Sequence, residues 1–98
     1  MAESIDVEWS QGALSDLERF STFLAQQHPD LAQTVAQEII AKAQMLSTFP
    51  RMGRPIAGRM QYRQLVLQVL NASYIFQYRF DGERLVMLRI WHGREQRE

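Results

Sequence analysis

The stretch YRQLVLQVLNASYIFQYRFDGERLVMLRIWHGR, Tyr62 to Arg94, decides the fold. It reads as three strands, Tyr62–Leu70, Ser73–Phe80 and Leu85–Trp91, joined at Asn71-Ala72 and at Asp81-Gly82-Glu83. β-Branched, aromatic and leucine side chains bounded by turn formers are the signal for such a meander. Side chains alternate across a strand, so the turns determine which residues share a face. A two-residue turn at Asn71-Ala72 sets Val69 opposite Tyr74, Leu67 opposite Phe76 and Leu65 opposite Tyr78. A three-residue loop with Gly82 at positive φ sets Tyr78 opposite Val86, Phe76 opposite Leu88 and Tyr74 opposite Ile90. One face of the meander is then almost wholly apolar and calls for a cover. The other face carries Tyr62, Gln64, Val66, Gln68, Ile75, Gln77, Arg79, Leu85, Met87, Arg89 and Trp91. Arginines set into a half-apolar surface are typical of a contact with another macromolecule. The alternative is a second layer of the protein's own structure, or a contact between two copies in a homodimer.

The cover lies upstream. Ile5, Val7 and Trp9 alternate with Asp6 and Glu8, the pattern of a short strand. Ser10 offers an N-cap, and Ala13, Leu17, Phe20 and Leu24 recur at the helical period, predicting a helix over about 11–27. Asp16 and Glu18 are expected on its wet side. Pro29 ends this helix and pre-sets the first turn of the next, predicted over about 30–48 from Ala32, Val35, Ala36, Ile39, Ala43 and Leu46. So short a link makes the two helices an antiparallel hairpin. Pro50-Arg51-Met52-Gly53-Arg54-Pro55 ends the second helix, and the segment to Gln61 is expected to be a loop. Arg51, Arg54 and Arg59 in this loop, with Arg63 just beyond it, make the densest basic cluster, with Arg54 placed either to meet a partner or to anchor the loop.

The chain has 98 residues, enough for one domain spanning 1–98 and one core. It has no cysteine, so disulfides and thiol chemistry are excluded. No apolar run reaches the roughly 20 residues that span a membrane, and Met1–Glu8 lacks the pattern of a signal peptide. A cytoplasmic protein without membrane contact is the expectation. Formal net charge is zero, yet residues 1–40 hold seven acids against one arginine, and residues 41–98 hold ten cations against four acids. Ten of the eleven cations are arginine, which suits planar contact with carboxylate or phosphate. His28 and His92 have no ligand-spaced carboxylates, and Gly53 and Gly58 open no phosphate-binding helix, so neither a metal site nor a cofactor is expected.

Several residues, taken in order, carry a family likeness. They are Val7-Glu8-Trp9-Ser10, Ala13 with Asp16-Leu17, Pro29 with Ala32, then Leu46, Pro50 and Gly53-Arg54. Arg63 with Leu65, Tyr78, and Leu88-Arg89-Ile90-Trp91-His92-Gly93-Arg94 complete them. On these residues the chain resembles the RelE/ParE toxin superfamily of bacterial type II toxin–antitoxin pairs, closer to its ParE-like members. The resemblance implies an α+β fold of order β-α-α-β-β-β, with a helical hairpin on one face of a small antiparallel sheet and the first strand at an edge. It implies a cognate antitoxin as partner. It also implies one of two targets: DNA gyrase, inhibited by binding, for ParE-like members, or the ribosome and its mRNA, cut by an endoribonuclease, for RelE-like members.

Metal-free RNA cleavage needs an acid, a base and cations around the phosphorane. Here Arg63, Arg79 and Arg89 are the candidate phosphate clamps and His92 the candidate acid or base, since an imidazole can both give and take a proton. The lysines and the C-terminal tyrosine of RelE-like toxins have no counterpart, the one lysine being Lys42 inside the second helix. A non-enzymatic, gyrase-binding toxin is therefore the leading expectation. Its target or antitoxin surface is assigned to Arg54, Arg59, Arg63, Arg79, Met87, Arg89, Trp91, His92 and Arg94, with the tail from Trp91 as the gyrase contact. A non-toxic binding or repressor module on the same fold is the third reading.

Overall fold

A computed structural model describes residues 4–94 of the chain. Its elements are β1 (Val7–Trp9), α1 (Gln11–Gln27), α2 (Pro29–Gln44), β2 (Arg54–Ile56), β3 (Arg59–Val69), β4 (Ala72–Phe80) and β5 (Leu85–His92). A short 3-10 turn, Met45–Ser47, extends α2. The strands form one sheet in the order β1-β5-β4-β3-β2. β1 runs parallel to β5 at one edge and the other neighbours are antiparallel, so the sheet is mixed. No helix among the described residues is long and apolar enough to cross a membrane.

Ser10 starts α1 as the sequence predicts. Its hydroxyl accepts from the Ala13 N–H at 3.1 Å and donates to the Leu88 carbonyl at 2.9 Å, so the cap also fastens the helix to β5. His28 alone separates the helices, and Pro29 occupies the first position of α2, where a missing N–H costs nothing. Ala13 and Phe20 of α1 and Val35, Ile39 and Ala43 of α2, continued by Leu46, bury against the sheet. There they meet Tyr74, Phe76 and Tyr78, all buried. The aromatic face of the meander therefore does point at the helical pair. Burial of each such large side chain contributes roughly 1.5–3 kcal/mol.

Two turns differ from the expectation. The first is Leu70-Asn71, not Asn71-Ala72: Val69 pairs with Ala72, Leu67 with Tyr74 and Leu65 with Phe76. Leu70 takes a positive φ of 56°, a conformation that sequence rules reserve for glycine or asparagine. The slip is two residues in register, so every side chain keeps its face. The second turn spans residues 81–84, closed by Phe80 and Leu85. Asp81 holds it, its carboxylate accepting from the N–H groups of Glu83 and Arg84 at 2.9 Å each. A register shift beside Gln77 and Tyr78 then leaves Leu88 as an extra residue, a β-bulge. Before the bulge Leu85 and Met87 face the core and are fully buried, where Val86 and Leu88 were expected. After it Ile90 is in the core, as expected.

The segment after α2 is also more regular than expected. Arg54–Ile56 forms β2, an edge strand against the first half of β3, and β3 begins at Arg59 instead of Tyr62. Pro55 is tolerated because it sits on an edge.

Candidate functional site

The open face of the sheet is lined by Tyr62, Gln64, Val66 and Gln68 of β3, by Ile75, Gln77 and Arg79 of β4, and by Val86 and Trp91 of β5. Arg79 Nη2 donates to Gln61 Oε1 at 2.6 Å, and its Nη1 lies 3.6 Å from Asp81 Oδ2. Arg59 caps this corner, its guanidinium 5.1 Å from the Tyr62 ring centroid. Arg54 is exposed on β2 opposite Gln64. Leu85 and Met87 do not belong to this surface. The bulge turns both inward, so Met87 packs in the core and offers nothing to a partner.

Arg89 stands at the bulge, where β5 runs past the end of β1. Its Nε and Nη2 donate to the two oxygens of Asp16 on α1, at 2.8 and 3.1 Å. The same carboxylate accepts the Ile90 N–H at 2.8 Å and Arg19 Nη1 at 2.6 Å. Asp16 is 1% exposed, a correction to its expected wet position. Its spacing held the signal: it lies three residues after Ala13 and four before Phe20, within the buried stripe. Burial alone would raise its pKa, but the bonds from Arg89, Ile90 and Arg19 reverse that and hold the carboxyl below its ordinary range. Gly12 makes the approach feasible, since a Cβ there would lie 3.1 Å from both Arg89 Cδ and the Leu88 carbonyl oxygen. The Arg89 guanidinium is thus fixed 5.3 Å from the Trp91 ring centroid.

Arg63 faces the core side, opposite Tyr78. Its Nη1 donates to the carbonyls of Gly53 at 2.6 Å and Arg51 at 3.2 Å. It is therefore Arg63, not Arg54, that anchors the loop after α2. Tyr78 completes the anchor: its hydroxyl donates to the Pro50 carbonyl and accepts the Gly53 N–H, each at 2.8 Å.

His92 also faces the helices. Its ring meets Tyr74 edge-on at 5.2 Å, and Tyr74 meets Phe20 edge-on at 5.3 Å. Its Nδ1 accepts the Arg94 N–H at 3.1 Å. This row of rings forms the floor of a groove of about 720 Å³ between the hairpin and the β3–β4 turn. Phe23, Leu24, Leu31 and Leu70 line its walls, and Arg19 and Arg94 stand at its rim. Phe23 is 59% exposed and Leu70 50%. The sequence pattern did not reveal this groove, because its walls come from the outer flank of one helix stripe and from a turn. The part of the expected contact tail beyond Arg94, Glu95 to Glu98, lies outside the described residues.

The four candidate nuclease residues do not converge. Arg63 and His92 pair with Tyr78 and Tyr74, four positions apart on β4, or roughly 13 Å at the rise of a strand. Arg79 projects from the opposite face, and Arg89 is turned to Asp16. Among the described residues no group of three His, Asp or Glu side chains gathers as metal ligands.

Known proteins resemble the chain in sequence and in fold. The model of a family described as the ParE toxin of the type II toxin–antitoxin system parDE matches residues 7–97. Toxin RelE1 of Caulobacter vibrioides is 28% identical over 85 residues, which cover 87% of this chain and 89% of that protein. A solved structure of the chromosomal ParDE TA system from P. aeruginosa matches with a TM-score of 0.73 at 21% identity, over 91% of this chain and 96% of that one. At that identity the structural likeness speaks for the fold.

Proposed function

The chain belongs to the ParE toxin family of type II toxin–antitoxin systems, and on that premise we propose that it inhibits DNA gyrase by binding rather than by chemistry of its own. As the toxin of such a system it has a cognate antitoxin as partner. The observation that carries the binding mode is the dispersal of Arg63, Arg79, Arg89 and His92 over two faces of the sheet, three of them committed to main-chain carbonyls, Asp16 or the core-side ring row. Phosphoryl transfer needs its acid, base and cations around one phosphorus. What the fold offers in its place is contact surface: Trp91 with Arg89 beside it, Ile75 across the strand, and Arg79 further along the face. Aromatic and arginine side chains of this kind dominate protein–protein recognition. The target surface on this reading is Arg79, Arg89, Trp91 and the segment that follows Arg94, in the cytoplasm where gyrase works.

The apolar groove with Arg19 and Arg94 at its rim suits the antitoxin, as an amphipathic segment bearing acidic residues. The likeness to a protein named RelE1 supports a second reading, ribosome-dependent mRNA cleavage. A supercoiling assay with purified gyrase and primer extension on translated mRNA separate the two. Loss of supercoiling with intact message is expected; codon-positioned cuts with normal supercoiling would replace the first reading with the second. Growth unaffected by expression of the chain without its antitoxin would point to the non-toxic module.

A further inference from the structure

The outer edge of β3 is only half used. β2 pairs with it from Arg59 to Gln64, and beyond that point β3 meets no further strand among the described residues. The hairpin register tells which groups are left over. Val69 and Ala72 close the two-residue turn, and the pair that closes such a turn exchanges both its hydrogen bonds. Bonded and non-bonded pairs alternate along an antiparallel ladder. Leu67 and Leu65 therefore turn their N–H and C=O groups toward β4, while Val66 and Gln68 turn theirs outward. Gln64 shares that outward sense, and it is the residue that meets Arg54 of β2.

Edge strands are commonly guarded by charge or proline. β2 supplies both over its half of the edge, with Arg54 and Pro55. The run Leu65-Val66-Leu67-Gln68-Val69 has neither, and Val66 is 55% exposed. An acidic or basic strand from another protein would find no ion partner along it.

We propose that this edge pairs with the same edge of a second copy of the chain, antiparallel about a two-fold axis at Leu67. Outward groups are available only at Val66 and Gln68, between the end of β2 and the turn at Leu70. One register satisfies all of them: Val66 opposite Gln68 of the second copy, with Leu67 opposite its own counterpart. A register two residues one way drives the incoming strand into Arg54, and two residues the other way sets Val66 against the turn. The contact is isologous and closes, so the two sheets become one. With about five residues a side it falls below the standard interface size, and association is weak and concentration-dependent.

Sedimentation equilibrium of the full chain, free of antitoxin, should show the mass rising from monomer toward dimer with concentration. Val66→Pro deletes an outward N–H that β4 does not use, and should abolish this rise while keeping the circular dichroism spectrum. Val66→Lys with Gln68→Lys, and Val66→Glu with Gln68→Glu, should each give monomers. Mixed together they should form a heterodimer, because the register sets residue 66 against residue 68, a recovery that loss of folding does not mimic. Amide exchange at Val66 and Gln68 should slow as wild-type concentration increases. A wild-type chain that stays monomeric at millimolar concentration overturns the proposal, as does a dimer indifferent to these substitutions. Protection of the two amides that appears only when antitoxin is added would assign the edge to the antitoxin and equally overturn it.

Discussion

Asp16 and Arg89, 73 positions apart, form a two-point ion pair that joins the middle of α1 to the bulge of β5. The acid is buried and the guanidinium is half-exposed. Removing one partner of a fully buried pair costs about 3–5 kcal/mol. Arg89 can turn to water when released, so Asp16→Ala is expected to cost less, about 2–3 kcal/mol, chiefly through the unpaired Ile90 N–H and the lost charged bonds. Urea unfolding checks this. An unchanged midpoint would mean that the pair contributes nothing net.

The same carboxyl shapes the response to acid. Its folded pKa is lowered despite its burial, so its contribution is fully present above the unfolded value of about 3.9 and is lost as pH falls through the folded value. Glu8, held down first by its bond from Arg84, and Asp81, held down first by the N–H groups of Arg84 and Glu83, act in the same direction from the surface. Stability should therefore decline below about pH 4. Asp16→Asn should be less stable at neutral pH and show a shallower decline, as followed by thermal melting between pH 2 and 7.

The helices, their caps and the aromatic face were legible because each rests on a period or on a residue with one strong local preference. Ser10, Pro29 and the run Tyr74, Phe76, Tyr78 are of that kind. The turn at Leu70 was not, because a leucine at positive φ answers to the pairing of two long strands and not to its own preference. The bulge was invisible for a different reason. In Leu85-Val86-Met87-Leu88 either alternate pair fills a core equally well, so hydrophobicity cannot choose between them. Met87 was misplaced on that account. Arg63 and Arg54 could not be told apart either, since the carbonyls that select Arg63 belong to a loop whose path depends on Tyr78.

Tyr78 and that loop give a third expectation. Burial pushes the Tyr78 pKa up, so the hydroxyl keeps its proton and donates to Pro50 while accepting from Gly53. Tyr78→Phe strands a buried N–H and a carbonyl together and should cost about 1–3 kcal/mol. Gly53→Ala should act similarly, since its Cβ would lie 2.7 Å from the Tyr78 hydroxyl oxygen. Both variants should be cut faster by trypsin after Arg51, because Arg63 loses the fixed carbonyls it grips. Cleavage at the wild-type rate would show that the loop is held by other means.

Phe23 tests the groove as the antitoxin's seat. It is largely exposed, so exchange for glutamate, a good helix former, should leave the fold and its melting temperature nearly unchanged. On binding, however, the ring would be a central apolar contact between Leu24, Leu31 and Leu70, close to Arg19. Phe23→Glu removes that contact and sets a negative charge before an acidic segment, and two such losses together are worth about 2–4 kcal/mol. Antitoxin affinity measured by calorimetry should fall by roughly 30-fold or more. Arg94→Glu should weaken binding less, because an exposed rim charge acts mainly on the association rate and on salt dependence. The gyrase surface proposed above lies across the sheet at Trp91 and Arg79, so Phe23→Glu should still stop supercoiling while needing correspondingly more antitoxin to be neutralised. A variant that binds antitoxin normally would move the seat to the open face. One that loses antitoxin and gyrase together, with its fold intact, would place both partners on the hairpin side.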